Sequence, residues 1–267
     1  SKRLVQLECD MVLGFTIDDL EVQDPDPQAL LDFVVKMEFR TLSKRLAEKL
    51  KVEAPMIAEP TIAVAVSDAP QASAIDPSKY ETIRDGAGLQ VWIDRIYARG
   101  YVAVDTETTG LNEMRADLVG VSLCVEAGEA AYLPLSHRAG QADDLFGTDV
   151  LAEGQMDQAA ALAMLKPMLE DSSILKIGQN MKYDAKILAR VGIQIAPIDD
   201  TMLISYAQNG GLHNHGMDFL SERYLDHAPI SIKTLLGSGK SAITFDRVPI
   251  DEASRYAAED ADITLRL

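Results

Sequence analysis

Tyr101-Val-Ala-Val-Asp105-Thr-Glu107-Thr-Thr-Gly110-Leu111 is an apolar run that ends in two acidic residues two positions apart. A strand turns alternate side chains to opposite faces, so Asp105 and Glu107 leave the same face. Two carboxylates this close repel unless a cation lies between them, and hard divalent ions take oxygen ligands. Acidic residues also end many ordinary strands, so the pair alone leaves both readings open.

Two later segments add acids in settings that suit the same chemistry. Asn180-Met-Lys-Tyr-Asp184 opens a helix directly after the apolar run Ile174 to Gly178. Asn180 suits an N-cap there, and Asp184 falls in the first turn, where the helix dipole favours an anion with or without a metal. Tyr256-Ala-Ala-Glu259-Asp260-Ala-Asp262 lies on the final helix, and a four-residue step stacks Tyr256 over Asp260. A phenol and a carboxylate one turn apart can hold one water between them. Glu259 and Asp262 point elsewhere on that helix and are expected to be solvated.

Outward from these segments, the apolar spacing predicts a helix over Leu89 to Ala98 and strands over Tyr101 to Asp105, Leu118 to Glu126, Ala130 to Pro134 and Ile174 to Gly178. Helices are expected over Met156 to Leu169, Met181 to Val191, Thr201 to Gln208, Met217 to Leu225 and Glu252 to the end. Strands first and a strand-helix mixture after them argue for an α/β fold, a mixed sheet flanked by helices. Near the start, residues 4 to 22 alternate as a short strand or hairpin would. Asp26-Pro27 then signals a helix start, with apolar spacing from Leu30 to Leu50 in two helices broken near Arg40-Thr41. Residues 53–79 are rich in Ala and Pro and read as a linker between a small appendage, residues 1–52, and the main unit, residues 80–267.

Composition sets outer bounds. Of 267 residues, 47% are hydrophobic and 25% charged, which is the balance of a globular protein. No apolar run reaches the roughly eighteen residues of a membrane span, no signal peptide is read, and two cysteines far apart in sequence suit a reducing cytoplasm. The net charge of −17 argues against a basic nucleic-acid face. Clustered carboxylates that recruit cations are necessarily acidic, however, and the cations then supply the charge a phosphate meets.

Taken in order, Asp105-Thr-Glu107, Asn180-Met-Lys-Tyr-Asp184 and Tyr256-Ala-Ala-Glu-Asp260 resemble the DEDD exonuclease superfamily, and Tyr rather than His before the last Asp resembles its tyrosine subgroup. Lys176-Ile-Gly-Gln-Asn-Met-Lys-Tyr-Asp184, and Leu236-Gly-Ser-Gly-Lys240 ahead of Arg255-Tyr-Ala-Ala-Glu-Asp-Ala-Asp262, are similar to the proofreading 3′-5′ exonuclease domains of bacterial family-A DNA polymerases. More weakly, residues 1–52 look like the tail of the 5′-nuclease domain that precedes proofreading there. The resemblance implies a ribonuclease-H-like fold and hydrolysis of terminal DNA phosphodiesters with two divalent cations, Mg²⁺ or Mn²⁺. It implies that Asp105, Glu107, Asp184 and Asp260 hold the metals and that Tyr256 orients the attacking water. It further implies substrate contacts from Thr106, Leu111, Gln179, Asn180, His215 and Lys240. The partners implied are DNA with a single-stranded or frayed 3′ end, and a polymerase domain in a longer chain, in a bacterial cytoplasm close to the nucleoid. For Leu111, a wedge against the terminal base and ordinary core packing are both open.

Two other signals carry less. Gly239-Lys240-Ser241 lacks the earlier glycine of a P-loop, since Thr234 stands in its place. His213 and His215 have no third ligand at zinc spacing. Competing functions are an RNA-trimming nuclease similar to ribonuclease D and a catalytically silent scaffold of the same fold.

Overall fold

The computed structural model describes residues 5–7, 10–22, 24–37, 39–52, 74–139, 150–239 and 242–267, in two compact units, residues 1–63 and 64–267. In the first unit Asp26 accepts from the amides of Gln28 and Ala29 at 2.9 and 3.1 Å and so caps helix α1 (Pro27–Lys36). Helix α2 (Arg40–Leu50) packs on it around Leu31, Val34 and Ala47. The break falls between Lys36 and Arg40, just ahead of the expected place. Among the described residues of 4 to 22 there is no strand. Met11, Val12 and Leu13 are exposed, and Ile17–Leu20 forms a 3-10 turn capped by Thr16 and Asp19.

The second unit carries strand β1 (Glu81–Thr82), helix α3 (Gly86–Arg99), and strands β2 (Tyr101–Thr108), β3 (Leu118–Glu126) and β4 (Glu129–Pro134). A short ribbon follows, β5 (Arg138–Ala139) and β6 (Val150–Leu151), and then helix α4 (Gln158–Leu169), strand β7 (Leu175–Gly178) and helix α5 (Met181–Arg190). Strand β8 (Ile198–Asp200) leads into helices α6 (Thr201–Asn209), α7 (Met217–Leu225), α8 (Ile232–Leu236) and α9 (Ile250–Arg266). The six-stranded sheet runs β1-β4-β3-β2-β7-β8, antiparallel across β4, β3 and β2, and parallel at β1/β4, β2/β7 and β7/β8.

Alternation along β2 builds both layers. Val102 and Val104 enter the core beneath α3, α4 and α5, with Leu89, Ile96, Leu165 and Leu188. Ala103 faces the other way, against Ala258 and Ala261 of α9. Small residues on both sides let this helix lie close to the sheet. Continuing the alternation, Asp105 and Glu107 emerge on the α9 face. Among the described residues no helix is long and apolar enough to cross a membrane.

Candidate active site

Strand β2 runs three residues past its expected end, so Asp105 and Glu107 both lie within the ladder, opposite Ser122 and Gly120 of β3. The register then shifts between Glu107 and Thr108, where the strand leaves its partner. Gly120 has no side chain because Tyr132 occupies that space: a Cβ there would fall 2.1 Å from the phenolic oxygen. The Nδ1 of His137 lies 2.9 Å from the carbonyl of Val248, which requires a proton on that nitrogen. Its Nε2 is then an acceptor, and the Tyr132 hydroxyl, 2.8 Å away, donates to it. With Tyr132 turned to His137, Glu107 Oε1 stays buried with no hydrogen-bond partner.

Helix α9 delivers Asp260 to the same place. One carboxylate oxygen each from Asp105, Glu107 and Asp260 lie within 4.8 Å of one another, the single such trio among the described residues. Asp184, in the first turn of α5, accepts from the Thr106 amide at 3.0 Å and its hydroxyl at 2.5 Å. All four acids, with Tyr256, line one cleft of about 580 Å³.

Electrostatics mark this cleft as short of positive charge. Burial, then the charges of Asp184, Glu107 and Asp260, holds the Asp105 carboxyl well above the usual carboxylate range. Burial followed by Asp260 and Asp184 does the same to Glu107. Burial pushes Asp260 up to about 8 against the lowering effect of a hydrogen bond from Tyr256, and pushes Asp184 up to about 6 against the bonds from Thr106. Four such groups ionise together only if a cation joins them. The donor set, all hard oxygen, and the bare Glu107 oxygen fit a divalent ion. The Tyr256 phenol is held protonated by burial and by the charges of Asp260, Glu107 and Asp105.

The remaining predicted residues divide. Leu111 sits on the cleft rim and is 96% exposed, which removes the core-packing reading. Asn180 stands at the α5 N-cap position, but in left-handed backbone, without a capping bond from its side chain, which is exposed in the cleft. Gln179 lines the cleft, yet its amide is engaged: Nε2 donates to the His215 carbonyl at 2.8 Å and Oε1 accepts from the Thr201 hydroxyl. His215 is not a lining residue; its ring bonds Ser205 at 2.9 Å. Lys240 lies outside the described residues.

Sequence reading missed the apolar wall of Ile232, Leu236, Ile243 and Phe245, and the Tyr183 hydroxyl that donates to the Gly110 carbonyl at 2.5 Å. It also misplaced two acids. Glu259 and Asp262 are 1% and 0% exposed rather than solvated. Glu259 accepts from the Ile230 amide at 2.7 Å and pairs with His227 Nε2 at 2.9 Å. Asp262 accepts from Tyr80, from the Gly128 amide and from Arg266. The alanine-lined helix lies so close to the sheet that both flanks of α9 are covered.

A mixed sheet with an acid-lined cleft at the end of its central strand, closed by a helix that brings one more carboxylate and a phenol, has the ribonuclease-H-like fold of a nuclease, with an acid cluster suited to a divalent ion. The profile of the 3′-5′ exonuclease family matches residues 80–267, and the chain belongs to that family. DNA polymerase I of Rhizobium leguminosarum is 39% identical across all of this chain, which covers 32% of that protein. DNA polymerase I of Pseudomonas aeruginosa is 36% identical across all of it, with 27% of that protein covered. The chain thus spans 27–32% of the length of these relatives. In fold, it is similar to the Nibbler EXO domain of Aedes aegypti, at a TM-score of 0.50 and 11% identity over 73% of this chain and 88% of that one.

Proposed function

We propose that residues 80–267 remove nucleotides from the 3′ end of DNA, as the proofreading part of a polymerase I, using two divalent cations, Mg²⁺ or Mn²⁺. The observation that carries this reading is the trio of carboxylate oxygens within 4.8 Å of one another, one group with a bare buried oxygen, in a cleft shared with Asp184 and Tyr256. Asp105, Glu107 and Asp260 would hold one ion; Asp105 would share in the second, with Asp184 acting through its water shell. Bound there, such ions lower the pKa of a water and stabilise the leaving 3′ oxygen.

The chain's own groups do the rest. Tyr256, kept protonated, orients the attacking water by hydrogen bonding and does not serve as a base. Leu111 wedges against the terminal base, while Ile232, Leu236, Ile243 and Phe245 give it an apolar surface without reading its edge. Asn180, Gln179 and Thr106 line the cleft that would take the substrate backbone; contacts from His215 and Lys240 rest on the family resemblance alone. A cleft that admits a few splayed nucleotides favours unpaired or frayed ends. Residues 1–52 would be the tail of a 5′-nuclease domain, and residues 53–79 the linker, in a polymerase working at the bacterial nucleoid.

The test is an end-labelled single-stranded DNA incubated with the protein, with and without Mg²⁺. Shortening from the 3′ end in Mg²⁺ alone is expected, with turnover lower by at least about a thousandfold in Asp105→Ala, since that carboxylate serves both ions. Near-normal turnover in that variant, or RNA digested well above DNA, overturns the reading.

A further inference from the structure

Helix α5 carries Asp184 in its first turn, so the placement of its N-terminus sets where that carboxylate lies. The side chain of Asn180 does not cap it. The cap comes from Asp200, twenty residues on. Its Oδ2 accepts from the Met181 amide at 2.9 Å, and its Oδ1 from the Asn180 amide at 3.1 Å. The same Oδ1 accepts from Met202 and Leu203 at 2.9 and 3.2 Å, at the start of α6. One buried carboxylate thus serves two helix N-termini, each of which carries partial positive charge and orphan donors. Next to it, the Thr201 hydroxyl donates to Gln179, whose amide reaches on to the His215 carbonyl.

The structure assigns Asp200 as a positioning residue for the nuclease reaction: it fixes Asn180, in left-handed backbone at the cleft, and the first turn of α5 with Asp184. Asp200 does not line the cleft, and its bonds reach the cleft only through these neighbours. The assignment rests on the nuclease reading above for its catalytic consequence. Its structural half stands by itself, because the four bonds to one carboxylate make no reference to metal or DNA.

Two variants separate positioning from folding. Asp200→Ser keeps a short hydroxyl that caps α6 from its own N-cap position, but cannot span to Asn180 and Met181. Asp200→Asn keeps the reach and one acceptor oxygen. Amide hydrogen exchange on the metal-free chain is expected to show lost protection at residues 180–184 in Asp200→Ser, with α6 still protected. Nuclease assays well below the melting transition are expected to show kcat per folded molecule lower by at least about tenfold, as for a misplaced reacting group, with Asp200→Asn intermediate. In an Asn180→Ala background the Asp200→Ser loss should shrink, since one acts partly through the other. Unchanged exchange at residues 180–184 overturns the proposal whether or not the chain is a nuclease. An active wild-type chain with Asp200→Ser within about twofold of it, or losses that multiply in full, overturns it while leaving the nuclease reading intact. An inactive wild-type chain overturns the nuclease reading and the catalytic half of this one. Should Asp200→Ser not fold, Asp200→Asn carries both measurements.

Discussion

Helix α9 presents two buried acids and one half-buried acid within four residues. Glu259 and Asp262 are surrounded by donors: the Ile230 amide and His227 for the first, and Tyr80, the Gly128 amide and Arg266 for the second. Asp260, between them, meets Asp105 and Glu107 and has Tyr256 as its hydrogen-bond donor. The first pair ties the helix to its surroundings and is complete as it stands. The cleft acid is left with like charges for neighbours, so that the fold stays incomplete there until a proton or a cation arrives. Burial of an acid therefore says little about function; the supply of donors around it says much.

The sharpest way to break this comparison is to neutralise one acid of each kind. Asp260→Asn should abolish carboxylate-dependent Mn²⁺ binding and lower turnover by at least about a hundredfold. It should also raise the melting temperature of the metal-free protein near neutral pH, because folding no longer has to bring a proton to that carboxyl. Asp262→Asn should do the reverse. It leaves Arg266 facing a neutral amide in a buried pair and costs about 3 kcal/mol of stability, with Mn²⁺ binding preserved. Calorimetric Mn²⁺ titration beside thermal melts decides it, and stability shifts of the same sign in both variants would remove the distinction.

Changing pH probes the same contrast without mutation. Asp184 and Asp260 have folded-state pKa values raised to about 6 and about 8, from an ordinary value near 3.8. Across that interval the folded chain holds more protons than the unfolded one, so stability falls as pH rises. For these two groups the loss begins above about pH 4, is steepest up to about 6, slackens once Asp184 ionises and ends past 8. Melting in chelator should therefore drop by several degrees between about pH 5.5 and pH 8.5, and saturating Mn²⁺ should remove most of that drop, since the ion takes over from the protons. A melting curve in chelator that is flat or rising over this range would count against a donor-starved cluster.

Where sequence reading worked and where it failed follows the same division. Asp105, Glu107, Asp184 and Asp260 stood out through the order of three motifs that resembles a known family, since strand and helix periodicity gave only the shared face within each motif. The long strands and α3, α4, α5, α6, α7 and α9 came through on apolar spacing, to within two or three residues at their ends. Strand β8 was missed because Ile198-Asp-Asp offers no apolar alternation, and it exists through parallel pairing with β7. Asp200 carried the local signature of an N-cap before Thr201, but its second client, α5, lies twenty residues back and only the folded chain unites them. Glu259 and Asp262 read as solvated because nothing along the helix announces Tyr80, Gly128 or His227. Donors that arrive from remote segments leave no mark in a local pattern.

The smallest effect is expected on the rim of the cleft, at Leu111. Its near-complete exposure means that Leu111→Ala removes almost no buried surface, so the melting temperature and Mn²⁺ affinity should stay at wild-type values. If the side chain wedges against a terminal base, it loses apolar contact only in the complex, and ~1 kcal/mol of such contact is a several-fold change in KM or turnover. That change should be larger on frayed or paired ends, where a base must be held away from its partner, than on single strands that are already open. The Tyr183 and Thr108 hydroxyls brace the turn that carries Leu111, which keeps the rim in place after truncation. Equal rates for variant and wild type on paired ends would leave Leu111 as an ordinary surface residue, and would put the preference for unpaired termini wholly on the dimensions of the cleft.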